Sequence, residues 1–124
     1  MSSSAETGEG MEIRRAVLGD EYVDRAIGGA DDLDRPFQEL VTRHVWGGVW
    51  TRPGLTRRER SLVTLGALVA LGQPGEIGLH ARAALRNGCT REEVREALLQ
   101  AAAYCGAPAG VTAFGAAKAA LNNP

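Results

Sequence analysis

The sequence predicts an all-α fold, a small domain of six helices, and three observations carry that prediction. Apolar residues recur at helical spacing in one segment after another, and no stretch of useful length alternates apolar with polar residues as a half-buried strand would. Start and stop signals bracket the segments: Thr56 with Glu59 and Thr90 with Glu93 have capping-box spacing, and glycine or proline closes the runs. Composition fits, since 44% of the 124 residues are apolar but only 5% aromatic, which suits one modest core of Ala, Leu and Val.

Residues 1–10 are polar and read as a disordered tail ahead of a helical domain over residues 11–124. From Glu12 to Ile27, the spacing of Ile13, Val17, Leu18, Tyr22, Val23 and Ala26 predicts a first helix, stopped by Gly28 and Gly29. Asp34, ahead of Pro36, is placed to cap a second helix with Phe37, Leu40, Val41, His44 and Val45 along one side. Gly47-Gly48 and Thr51-Arg52-Pro53-Gly54 turn that helix into a loop carrying Trp46 and Trp50. The third helix starts at Thr56 and is apolar nearly all round through Leu71, so a second subunit is expected to cover part of it. Pro74 opens the fourth and Gly88 closes it. The fifth starts at Thr90, buries Val94, Ala97, Leu98 and Ala101, and ends at Gly106 and Pro108, after which an Ala-rich sixth runs to about Leu121.

Charge and cysteine usage exclude several classes of function. A formal net charge of −1 leaves no basic excess for tracking a phosphate backbone, which argues against nucleic acid as a partner. No apolar run is long enough to cross a bilayer and the N-terminus has no signal-like apolar stretch, so a soluble cytoplasmic protein is expected. Cys89 and Cys105 form no C-x-x-C and are expected to be reduced, buried and unreactive. With two histidines, two distant cysteines and no glycine-rich phosphate motif, no metal or nucleotide cofactor is expected.

The chemistry concentrates in Gln73-Pro74-Gly75-Glu76-Ile77-Gly78-Leu79-His80, where a carboxyl and an imidazole lie four residues apart and share a helix face. In the catalytic interpretation His80 donates a proton or a hydrogen bond, and Glu76 sets its tautomer and raises its pKa. The plain alternative is a satisfied structural histidine or a solvated surface pair.

Together with Thr56–Leu62, Arg86–Glu93 and Gln100–Pro108, this stretch resembles the carboxymuconolactone decarboxylase family, over about Arg14 to Leu121. The resemblance implies an AhpD-like helical subunit in a homo-oligomer, trimer or hexamer. It implies decarboxylation of a small lactone dicarboxylate, 4-carboxymuconolactone, to 3-oxoadipate enol-lactone without a cofactor, in protocatechuate catabolism. His80 and Glu76 would then be catalytic. Arg57 and Arg60, cations kept beside the N–H groups of a helix start, would hold the dicarboxylate, with Trp46 and Tyr104 walling the pocket; core packing is the alternative for either aromatic. Arg82 and Arg86 read as surface or subunit contacts.

Thiol peroxidases of the wider superfamily carry Cys-x-x-Cys-x-x-x-His at the same place. Here Gln73 and Glu76 stand at the cysteine positions and Ser61 near the relay glutamate, which removes the nucleophile a peroxide needs. A non-catalytic binding or assembly module is the remaining alternative. A buried, salt-bridged Glu76 and His80 away from any pocket would favour it.

Overall fold

The computed structural model describes residues 3–123 and divides into two compact units, Met1–Leu55 and Thr56–Pro124. Every element among the described residues is helical. None of the helices is long and apolar enough to cross a membrane.

The N-terminal unit holds α1 (Ser3–Leu18), α2 (Asp20–Gly28) and α3 (Arg35–Val41), the last running on into a π-helical turn, Thr42–Trp46. Hydrophobic spacing reads α1 and α2 as one helix, because the apolar pattern continues across the break. Gly19, at φ 91°, makes that break by entering a conformation that glycine alone reaches cheaply. Helix α1 also extends back to Ser3, through residues that composition reads as a tail. The cause lies in packing: Gly10 is buried, and a Cβ there would sit 2.1 Å from the Thr42 carbonyl oxygen and 2.9 Å from the Gly47 nitrogen. The bare glycine thus lets α1 cross the π turn at backbone contact. One turn further along, buried Arg14 donates from Nη1 to Thr42 Oγ1 at 3.1 Å. Asp34 sits at the start of α3 as expected, but its carboxylate accepts from the Asp31 N–H at 2.8 Å rather than capping its own helix.

The C-terminal unit comprises α4 (Arg57–Leu71), α5 (Pro74–Arg86), α6 (Arg91–Cys105) and α7 (Ala107–Asn122). Both capping boxes form as read from sequence: Thr56 Oγ1 accepts from the Glu59 N–H at 3.1 Å and Thr90 Oγ1 from the Glu93 N–H at 3.0 Å. A left-handed Gly72 ends α4 and the chain reverses into α5. Two ties set the register of this antiparallel pair. Asn87 Nδ2 donates to Ser61 Oγ at 3.1 Å, and the Cys89 thiol to the Arg58 carbonyl at 3.5 Å. An Arg58–Glu93 ion pair joins the starts of α4 and α6. Leu65, Val69, Ile77, Ala81, Ala84, Val94, Leu98, Ala113 and Ala117 fill the core between the four helices. Alanine is the commonest residue among them, so the helices approach closely, and at Gly78 an added Cβ would already meet the Ala120 Cβ at 3.3 Å.

The two glycines of α1 separate backbone packing from helix propensity. Gly10→Ala should destabilise the protein by about 1–3 kcal/mol through overpacking. Gly8→Ala, where a Cβ meets nothing within 4 Å, should stabilise it by up to about 1 kcal/mol. Urea unfolding of both variants checks this, and equal shifts would contradict the crossing.

Candidate active site

Helix α5 sets the candidate pair by its own geometry. Pro74 lies in its first turn, Glu76 follows where the exposed N–H groups favour a negative charge, and His80 comes one turn later on the same face. His80 Nε2 lies 3.7 Å from Glu76 Oε2, too long for a hydrogen bond. The imidazole is buried, only 8% exposed, and its Nδ1 has no hydrogen-bond partner. The Glu76 side chain is half exposed.

Burial pushes the His80 pKa below its ordinary 6.5, which corrects the expectation that Glu76 would raise it. Desolvation wins because the carboxylate is wetted and unbonded to the ring, whereas the ring itself is out of water. At neutral pH His80 in the free protein is therefore mainly a neutral imidazole, with one donor and one acceptor nitrogen.

Register decides which arginines accompany it. Ser61 lies level with Asn87, so His80, seven residues before Asn87, is level with Leu68, seven residues after Ser61. At 1.5 Å per residue, Arg60 lies about 12 Å and Arg57 about 17 Å along the axis from that level. Helical side chains also tilt toward their own N-termini, which in an antiparallel pair carries Arg60 and His80 further apart. The α4–α5 hairpin thus does not bring Arg57 or Arg60 to His80. Arg58, between them, is engaged by Glu93. Arg82, read as a surface or subunit contact, instead binds within its own chain, donating to the Ala120 and Asn123 carbonyls at 3.0 and 3.1 Å at the end of α7.

The aromatic candidates belong to different units. Trp46 is buried in the N-terminal unit against Trp50, with ring centroids 4.9 Å apart, a packing arrangement. Tyr104 is 84% exposed and lines a groove of about 710 Å³ between α4 and α6, with Val63, Ala67, Glu92 and Glu96. The glutamates on its rim make that groove a poor receptor for a dianion. Neither Glu76 nor His80 lines it, nor a groove of about 400 Å³ between α6 and α7. Of the thiols, Cys89 is buried and its pKa raised by burial, whereas Cys105 is exposed, contrary to expectation. Sequence gave no hint of the Ser61–Asn87 tie, since Asn87-Gly88 reads only as a helix stop.

Comparison with known proteins decides the family. The profile described as "Carboxymuconolactone decarboxylase family" matches residues 35–119. The chain belongs to the carboxymuconolactone decarboxylase family. It is 47% identical to a nitrosuccinic acid decarboxylase of Metarhizium robertsii over 115 residues, covering 93% of this chain and 80% of that protein. It is 42% identical to a 4-carboxymuconolactone decarboxylase of Acinetobacter baylyi over 106 residues, 86% of this chain and 79% of that one. A 4-carboxymuconolactone decarboxylase of Pseudomonas putida is 53% identical over 38 residues, 31% of this chain and 79% of that sequence. This carboxymuconolactone decarboxylase family member is accordingly a carboxy-lyase.

The depressed pKa of His80 fixes the sign of a pH effect on the decarboxylase. Well above pH 6.5 the ring is neutral whether folded or not and contributes nothing to pH dependence. As the pH falls through 6.5 the unfolded chain takes up a proton that the buried ring refuses, so folded stability drops as the pH falls toward the folded pKa. Urea midpoints measured over this range should decline more steeply for the native protein than for His80→Gln. Parallel curves would contradict the burial argument.

Proposed function

We propose that the protein decarboxylates 4-carboxymuconolactone to 3-oxoadipate enol-lactone, without a cofactor, as a step of protocatechuate catabolism. Its support is the Glu76–His80 pair on α5, with the imidazole buried and unpartnered at Nδ1, in a chain 42% identical to a 4-carboxymuconolactone decarboxylase over 86% of its length.

The substrate carries its own electron sink. The ring carbon that bears the departing carboxylate is conjugated through a C=C to the lactone carbonyl. When the C–C bond breaks and CO2 leaves, the electron pair flows into that carbonyl as a dienolate, and a proton then adds to the carbon beside it. The protein must hold the substrate's acetate arm, stabilise the dienolate oxygen and supply the proton. A dianion arriving beside neutral His80 favours the imidazolium, so the ring can take up a proton on binding and deliver it to carbon. Once the ring is charged, the imidazolium attracts the Glu76 carboxylate on the same helix face, and a guanidinium suits the acetate arm.

A second substrate is favoured by a specific observation, the 47% identity to a nitrosuccinic acid decarboxylase. Nitrosuccinate shares the skeleton of the lactone around the reacting carbon, which in both carries the departing carboxylate and a CH2–COO⁻ arm. A nitro group replaces the enone as sink, taking the pair as a nitronate. One site that recognises a succinate dianion with an electron sink on the carbon losing CO2 would accept either.

Chelator-treated protein should release CO2 from both compounds, with kcat/KM at least tenfold higher for 4-carboxymuconolactone. The reverse ranking would assign the substrate to nitrosuccinate, and no CO2 from either would refute the proposal. His80→Ala should lower kcat by roughly 10²-fold or more, the usual scale for a positioned acid or hydrogen-bond donor, and Glu76→Gln by less. A folded His80→Ala protein with near-native kcat would remove the ring from the chemistry.

A further inference from the structure

We infer that the active site is shared between two copies of the chain, one supplying Glu76 and His80 and the other Arg60, through an antiparallel α4–α4 contact centred on Gly66 and Ala67. The inference builds on the proposed catalytic role of Glu76 and His80, and on the need of a dicarboxylate for a cation.

Helix α4 has a face that the described residues of its own unit leave largely exposed. Ser61, Leu65 and Val69 turn into the core, which leaves Val63, 64% exposed, with Gly66, Ala67, Ala70 and Leu71, 68% exposed, along the opposite side. An apolar stripe running the length of a helix marks a surface for association, and small residues at its middle let a second helix approach closely. The second helix is another α4. Across a two-fold axis one patch must complement itself, and this one does: in a contact centred on Gly66 and Ala67, Val63 of each copy faces Ala70 of the other.

The same register completes the site. Arg60 of one copy falls opposite Gln73 of the other, beside Pro74 and Glu76. At about 100° per residue, Arg60 lies on the flank of the stripe that turns toward Ser61, and Ser61 is tied to α5 through Asn87. A two-fold axis perpendicular to the helices keeps that flank on the same side in both copies. The guanidinium of the second copy therefore arrives over the N-terminal end of α5, where the half-exposed Glu76 carboxylate gives it charge complementarity. The distance that separates Arg60 from His80 within one hairpin is what brings the two together between hairpins. It also accounts for a Glu76–His80 pair that lines neither the α4–α6 nor the α6–α7 groove. A three-fold ring alone contains no two-fold axis, so the assembly should be a dimer or a hexamer built from such pairs.

Cross-linking tests the contact without any substrate. Two differently tagged chains, both carrying Cys105→Ser, are co-expressed with Arg60→Cys in one and Gln73→Cys in the other, then oxidised. A disulfide joining the two tags is expected; a disulfide only between like tags, or none, overturns the inference. Activity then tests the sharing. His80→Ala and Arg60→Ala chains, each with turnover lowered at least tenfold alone, should regain about a quarter of native activity when co-expressed in equal amounts, because half of the pairs are mixed and each mixed pair holds one intact site. No recovery, beside an active native protein, overturns it. If the native protein converts neither compound, the catalytic proposal fails, and the disulfide decides the contact by itself.

Discussion

The tie between the start of α4 and the end of α5 is the constraint on which the rest depends. Ser61 accepts from Asn87, the Arg58 carbonyl accepts from the Cys89 thiol, and the Arg58 side chain reaches Glu93 on α6. These contacts lock the antiparallel register of the hairpin and set α6 beside it. A slip of one turn would move about 5.4 Å of helix past its neighbour, expose Leu65 or Val69 and separate all three partners at once. The register is thereby as well determined as the core, and it dictates which side chains share a level with His80.

His80 illustrates how burial and charge compete at such a site. A half-exposed carboxylate 3.7 Å from an imidazole contributes on the order of 1 kcal/mol when water screens it. Taking the cationic ring out of water costs several kcal/mol, so the resting imidazole is neutral. For the proposed decarboxylation of a dianion this poise is useful. The ring would be charged when substrate arrives rather than before, and Glu76 is not tied up in a permanent salt bridge.

Much of the fold was legible because its signals are local. Thr56 with Glu59 and Thr90 with Glu93 announce α4 and α6 through contacts within one turn, and Pro74 and Gly72 mark the start of α5. Long-range packing hid the rest. Gly10 looks like a tail residue until the Thr42 carbonyl is found against it, and the left-handed Gly19 divides a continuous apolar pattern. At the site, the spacing of Glu76 and His80 foretold their shared face but not which effect would govern the ring, since the depth of burial depends on neighbours far along the chain. The arginine cluster was visible as composition, while its distance from His80 follows only from the hairpin register.

The proposed chemistry depends on His80 being neutral in the free protein and taking up a proton when a dianion arrives. An NMR titration of the His80 ring nitrogens, in the free protein and with saturating succinate as a dianion that cannot react, tests this most directly. His80 should titrate below 6.5 in the free protein, and its pKa should rise clearly on binding. A His80 pKa that is ordinary in the free protein, or unchanged by the bound dianion, would contradict it.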